Sequence, residues 1–277
     1  MEIMTLTQRY PGAAVVTGAS AGIGESFANL LAKEGFPLVL VARRKERLDA
    51  LAERIRADHK VDVWVLSLDL TSAGAAAALR SFTDEQGIVV GMVVNNAGFG
   101  SFGRHDTVET AHYAKMVDLN CRVPTEITDV YLKDMLERKS GAVIFVASTA
   151  AYQAVPYMSA YAATKAYNLI LAEGLAQEYR GTGVDVLAVS PGFTETEFAD
   201  AASVDARAPG PLVGYPDGVV RQALRALGKR PSTIHGWLNW ILNSTSRLFP
   251  RWIVGRLVGN ALYRSSARLQ LEKHKIN

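Results

Sequence analysis

Tyr161 and Lys165 stand four residues apart in the stretch SAYAATKAYN, with no acid between or beside them. On a helix that spacing is one turn, so the two side chains share a face. An ammonium next to a phenol holds nothing together unless the phenol is losing its proton. A free phenol titrates at about 10, and a neighbouring cation favours its anion. The pair therefore reads as a general acid/base that Lys165 brings towards working pH. Ser148 closes the apolar run GAVIFVAS, thirteen residues before Tyr161. Its hydroxyl could hold a substrate oxygen near the phenol, or cap a strand end. Asn120, in VDLNCR, is either a buried polar brace or a member of the same chemistry.

Histidine makes a poorer base here. His59 and His105 fall in polar stretches, His112 precedes Asn120 on a helix, and His235 and His274 belong to the tail. None has a Ser or Cys partner at a recognisable spacing, so a hydrolytic triad is poorly supported. No Cys/His cluster suggests a metal, and none is expected.

These residues need a scaffold, and the chain supplies alternating strands and helices. Short β-branched apolar runs occupy 13–18, 36–43, 61–70, 88–98, 141–148 and 184–192. Helical periods follow at about 23–33, 45–58, 72–86, 107–138, 158–180 and 218–228. This alternation predicts an α/β fold: a Rossmann-like, doubly wound parallel sheet flanked by helices, with an extra C-terminal helical segment. The organisation expected is one dinucleotide-binding catalytic domain over 1–230. A helical extension over 231–277 packs on it or on a partner.

The stretch TGASAGIG, residues 17–24, leaves the first strand and enters a helix. Gly18 allows the sharp turn, Gly22 lets the backbone approach a pyrophosphate, and Gly24 lets helix and strand pack closely; Ser20 and Ile23 belong to the same cradle. The spacing is G-x-x-x-G-x-G rather than G-x-G-x-x-G. A dinucleotide is the expected ligand. The second strand ends at Arg43 and Arg44, where an NAD site usually carries an acid. Guanidinium groups suit a 2′-phosphate, so NADP(H) is favoured, with Arg43 the first choice. A solvated helix start is the plainer reading. Asp69, with Leu70 beside it, could hold the adenine edge or cap the next helix. Asn96, Ala97 and Gly98, in NNAG, could pack under the adenine or form a simple turn.

Length and composition agree with one globular unit. The chain has 277 residues, 49% of them hydrophobic and 21% charged, which is ordinary for a protein with a sizeable core. The net charge of +3 is unevenly spread: from Arg230 onward there are eight Lys and Arg and a single acid, Glu272. One cysteine, Cys121, excludes an intrachain disulfide and suits a reducing compartment. The opening MEIMTLTQRYPG carries no apolar run, so no secretory signal is expected.

In combination these features resemble the short-chain dehydrogenase/reductases, in their NADP-preferring, ketoreductase-like branch, here with an extended tail. The Thr17–Gly24 turn, Asn95–Gly98, Asn120, Ser148, Tyr161-x-x-x-Lys165 and Pro191–Gly192 occur in that family's order. The resemblance covers about residues 10–228. It implies catalytic roles for Asn120, Ser148, Tyr161 and Lys165. Asn120 would hold a water that passes protons to Lys165, and Tyr161 and Lys165 would also meet the nicotinamide ribose. Pro191 and Gly192 would turn the chain around the nicotinamide, with Thr194 and Thr196 at its carboxamide; the family's commonest residue at 194 is aliphatic. A homo-oligomer is implied at the same level.

The segments 99–106, 149–158 and 198–217 are expected to line the substrate cleft, with Phe99, Phe102, Tyr152, Tyr157, Met158 and Phe198. That apolar lining suits a lipophilic carbonyl or alcohol; ordinary packing is the alternative. The segment 198–217, rich in Ala, Gly and Pro, reads as a mobile loop. The tail predicts a pair of helices, about 236–247 and 250–266, separated by Pro250. It could be an interfacial anchor, a helix pair packed on a subunit partner, or a lid. The protein is expected in the cytoplasm, with peripheral membrane contact through the tail left open and no nucleic-acid partner. The favoured function is hydride transfer between NADP(H) and a ketone or secondary alcohol. The rival is a catalytically silent NADP(H)-sensing protein, with a non-redox epimerase third.

Overall fold

The computed structural model describes residues 4–197, 213–246 and 248–273. One parallel sheet is built from β1 (Ala13–Thr17), β2 (Leu38–Ala42), β3 (Val63–Ser67), β4 (Val90–Asn95), β5 (Gly141–Val146), β6 (Val184–Ser190) and β7 (Ser232–Ile234). Their order is β3-β2-β1-β4-β5-β6-β7, every pair parallel. The helices are α1 (Leu6–Arg9), α2 (Gly22–Lys33), α3 (Lys45–His59), α4 (Ala75–Glu85), α5 (Thr110–Val117), α6 (Val123–Glu137), α7 (Ser159–Glu178), α8 (Pro216–Ala226), α9 (Trp237–Ser246) and α10 (Arg251–Lys273).

β1, β2, β4 and β5 are buried at every position, so their sequences run apolar without alternation. Their side chains still sort by a period of two. Ala14, Val16, Leu38, Leu40, Met92, Val94 and Ile144 pack with Phe27 and Leu31 of α2, Leu48 and Ile55 of α3, and Val219 and Ala223 of α8. Val15, Val39, Val93, Val143 and Phe145 face the other way, against Leu79 of α4, Ile127 and Met135 of α6, and Leu169 of α7. The doubly wound sheet expected from the sequence is thus realised.

Strand order reverses beside β1, which opens a crevice at the carboxyl ends of β1 and β4, where such folds bind ligands. Thr17 stitches the crevice shut at its base. Its Oγ1 donates to the Val94 carbonyl (3.1 Å) and accepts from the amides of Asn96 and Ala97 (3.0 Å each).

Two features depart from the sequence reading. The sheet has a seventh strand: β7 pairs Ser232, Thr233 and Ile234 with Ala188, Val189 and Ser190. Three residues are too few to show a period, and this strand lies past residue 230, where the sequence reading divides the chain. The helix expected over 107–138 is interrupted. After a 3₁₀ turn at His105–Thr107, α5 and α6 are joined by a π-helical turn, Asp118–Arg122, with Asn120 at its centre. Such turns concentrate at functional sites. In the tail, Pro250 does separate α9 from α10.

Candidate active site

The turn after β1 takes the shape its glycines permit. Gly18 and Gly22 have φ of 66° and 59°, in the left-handed region that L side chains avoid. A Cβ on Gly24 would lie 2.2 Å from the Gly18 carbonyl oxygen, so no side chain fits. Ala21 precedes α2 and makes no side-chain cap, which leaves the first amides of the helix, from Gly22 to Gly24, for an external anion. Asn96 Nδ2 donates to the carbonyls of Thr17 (2.8 Å) and Gly18 (3.3 Å), fixing the turn against the end of β4. These features fit a dinucleotide.

On the adenosine side the arginine that meets the glycine turn is Arg44, not Arg43. Its guanidinium donates to Ser20 Oγ at 3.0 and 3.2 Å. It also joins Arg47 in holding the Glu197 carboxylate, at 2.9 and 2.6 Å. Arg47 and Arg44 together keep Glu197 below the usual carboxylate range. Arg43 is exposed; its main-chain oxygen accepts from Ser67. Asp69 accepts from Thr71 N (3.0 Å) and Oγ1 (2.8 Å), the turn-forming arrangement, and those bonds hold it below its ordinary range. Leu70 is buried.

Tyr161, Lys165, Ser148 and Asn120 come together at the end of β5. Tyr161 and Lys165 lie on one face of α7, both buried, with Nζ 5.9 Å from the centre of the phenol ring. Lys165 Nζ donates to the Val146 carbonyl at 2.7 Å. Ser148 hydrogen-bonds the phenol, and its Oγ also accepts from Ala150 N at 3.1 Å. It is therefore at once a cap and a partner of Tyr161. Asn120 is completely buried. Its Nδ2 donates to Phe99 O (2.9 Å) and Thr164 Oγ1 (3.0 Å), and its Oδ1 accepts from Phe99 N (3.1 Å). The amide thus braces the π turn against α7. A Cβ on Gly98 would lie 2.9 Å from Asn120 Oδ1 and 3.4 Å from Lys165 Nζ.

Burial acts on both members of the pair. Burial pushes Tyr161 up to about 12, with the Ser148 bond acting against it. Burial also pushes Lys165 down to about 8. Both shifts come from loss of hydration, which disfavours the charged form of each group. Tyr161 stands protonated, as a proton donor must.

The short chain dehydrogenase family model matches residues 12–206. The chain belongs to the short-chain dehydrogenase family. It is similar to 7beta-hydroxysteroid dehydrogenase of Clostridium sardiniense, 32% identical over 237 residues, which cover 85% of this chain and 90% of that one. Very-long-chain 3-oxoacyl-CoA reductase of Homo sapiens is 29% identical over 95% of this chain and 83% of its own length. Among solved structures, one from work on 7beta-hydroxysteroid dehydrogenase stereoselectivity superposes with a TM-score of 0.84 at 28% identity, covering 92% of this chain and 99% of that one. A short-chain dehydrogenase from Sphingobium yanoikuyae in complex with NADPH gives 0.76 at 32% identity, covering 86% and 94%. This short-chain dehydrogenase is accordingly an oxidoreductase of the hydride-transfer type, working with a nicotinamide cofactor on small carbonyl or alcohol substrates.

Beyond β6 the expected residues Pro191, Gly192, Thr194 and Thr196 meet partners that sequence reasoning did not single out. Pro191 O accepts from Thr149 N (2.9 Å), joining the turn after β6 to the Ser148 segment. A Cβ on Gly192 would lie 2.2 Å from Asn239 Nδ2, so α9 rests directly on that turn. Thr194 Oγ1 donates back to Gly192 O at 3.1 Å. Thr196 packs against Gly22, whose Cβ would lie 3.0 Å from its methyl; that contact is with the phosphate turn. Arg47 was legible in VARRKER as a third arginine one turn on. Glu197 and Asn239 carry no such signal. Of the residues expected to line the substrate cleft, Phe102 lies 6.2 Å from Tyr157, and Tyr157 stacks at 6.4 Å on Tyr263 of α10. Phe99 meets His112 edge-on at 5.0 Å. Phe198 lies outside the described residues.

Proposed function

We propose that this short-chain dehydrogenase transfers hydride between NADP(H) and a lipophilic ketone or its secondary alcohol, with Ser148, Tyr161 and Lys165 as the catalytic set. The observation that carries this is the buried Tyr161 phenol, bonded to Ser148 and set one helical turn from Lys165. When bound, the nicotinamide supplies the hydride to the carbonyl carbon. Ser148 holds the substrate oxygen. Tyr161 passes its proton to that oxygen, and the nearby Lys165 cation stabilises the phenolate left behind. Asn120 keeps the π turn and α7 in register, so that both groups stay aimed at one point.

For the cofactor, Gly18, Ser20, Gly22, Ile23 and Gly24 would hold the pyrophosphate. Asp69, Leu70, Asn96, Ala97 and Gly98 would lie around the adenine. Tyr161 and Lys165 would take the nicotinamide ribose, and Pro191, Gly192, Thr194 and Thr196 the nicotinamide end. The preference for NADP(H) is supported by the anion already gathered between Arg44 and Arg47 and by the NADPH-bound relative. The lipophilic substrate is supported by the aromatic cluster Phe102, Tyr157 and Tyr263, and by relatives named for steroid and long acyl-chain substrates. Exposed Val117, Tyr167 and Ile170 on α5 and α7 support assembly as a homo-oligomer. A cytoplasmic setting belongs to the same reading.

The test is NADPH oxidation over ketones of increasing chain length, alongside Tyr161→Phe. Turnover that improves with apolar bulk and falls at least a hundredfold in Tyr161→Phe is expected. Equal rates in the two proteins would refute the assigned mechanism.

A further inference from the structure

Part of the tail is seated on the body: a Cβ on Gly255 would touch Ala154 Cβ at 3.4 Å, and one on Gly259 would press on Pro156 at 2.9 Å. Tyr263 stacks on Tyr157, and Asn239 closes on Gly192. The tail is therefore seated on the segment that joins Ser148 to α7 and on the turn after β6. The rest of the tail is uncovered, most of all at the turn between α9 and α10 and the helix ends that flank it. Tyr263 aside, eight of the fifteen large apolar side chains exposed among the described residues lie between 237 and 257. Trp237 (72% exposed), Trp240, Trp252 and Leu257 stand on the two helices, and Leu248 (80%) and Phe249 form the tip between them.

We propose that this exposed surface of the tail docks on an anionic lipid surface, which brings the segment beneath it, Ala154 to Tyr157, to the membrane interface. Charge decides the occupant. Arg251 and Arg256 are exposed beside Trp252, and between Pro231 and Leu271 the sequence contains no acid. Tryptophan with arginine on an exposed helix face is the composition of an interfacial segment. A second copy of the chain meeting this face through a two-fold axis would set like charges against each other; anionic headgroups would pair with them. Among the described residues no helix is long and apolar enough to cross a membrane, so the contact lies on the surface. Drawing a lipophilic substrate from that surface rests on the function proposed above; the docking does not.

Full-length protein is sedimented with vesicles of phosphatidylcholine alone and with vesicles in which roughly one third is phosphatidylglycerol. Binding on the order of thirty-fold tighter to the anionic vesicles, weakened by salt, is expected for two arginines at the surface. Arg251→Gln/Arg256→Gln removes that preference. Trp237→Ser/Trp240→Ser/Trp252→Ser lowers binding to both, with NADPH oxidation of a water-soluble ketone and circular dichroism unchanged. Equal binding to the two vesicle types, or none, overturns the proposal, as does a concentration-dependent dimer that the tryptophan variant dissociates while vesicles recover no protein. Vesicle binding is read without turnover, so failure of docking and failure of the reductase reading remain separate results.

Discussion

Lys165 Nζ bonds the main-chain oxygen of Val146 at 2.7 Å, tying the centre of α7 to the last residue of β5. The ammonium is thus fixed next to the phenol by the sheet itself, with no acid to neutralise it. Burial sets its titration at about 8: the cation is present below that pH and lost above it. In carbonyl reduction the cation stabilises the phenolate that forms, so kcat/KM for NADPH-dependent reduction should fall as pH rises through about 8, roughly tenfold per pH unit. Lys165→Met should abolish this limb and leave a low, flat profile. A wild-type limb that survives in Lys165→Met would assign it to another group.

The same burial has a cost in stability, and its sign can be worked out. The folded value lies below the usual 10.5, so folding disfavours the charged form. The penalty is fully present below pH 8 and is relieved as pH rises towards 10.5. The difference amounts to about 3 kcal/mol. Lys165→Met should therefore raise the denaturation midpoint at pH 7, less so at pH 10, while removing activity. Urea titrations at the two pH values measure this.

Asn120 satisfies three polar groups at once, two on Phe99 and one on Thr164. Asn120→Ala should destabilise by about 2–4 kcal/mol, because buried donors and acceptors lose their partners. Chemical denaturation gives the loss. A value under about half a kcal/mol, the level of a neutral surface change, would mean that the brace is idle.

Arg44 and Glu197 make opposite predictions for nucleotide affinity. Arg44→Ala should weaken NADPH binding roughly ten- to hundredfold, as expected for a lost charge-assisted bond, and leave NADH nearly untouched. Glu197→Gln removes an exposed carboxylate that competes for the same guanidinium, so NADPH should bind roughly two- to fivefold tighter. Fluorescence titrations with both nucleotides decide. Tighter NADPH binding in Arg44→Ala would exclude the assigned role.

Much of this was legible because burial leaves a simple trace. Parallel strands covered on both faces must be apolar throughout, which is why β1, β2, β4 and β5 stand out in the sequence. Tyr161 and Lys165 show themselves because one helical turn is a fixed spacing. That Arg44 rather than Arg43 reaches Ser20 could not be read from the sequence, since neighbouring residues leaving a strand point opposite ways. Asn239 and Glu197 arrive from far along the chain; the Arg47–Glu197 contact spans 150 positions, and no local pattern encodes it. Spacing conveys proximity and says nothing about hydration, so the burial that pushes Tyr161 up and Lys165 down could not be read from the sequence.

Gly24 has no space for even one added carbon, with the Gly18 oxygen 2.2 Å from where it would go, whereas Arg44, Arg47 and Glu197 are all at the surface. Under selection or redesign the two halves of the nucleotide seat must therefore change at very different rates. On the proposed seat, the turn at Gly24 is held by the fold, whereas the surface set Arg44, Arg47 and Glu197 can be exchanged without crowding the backbone.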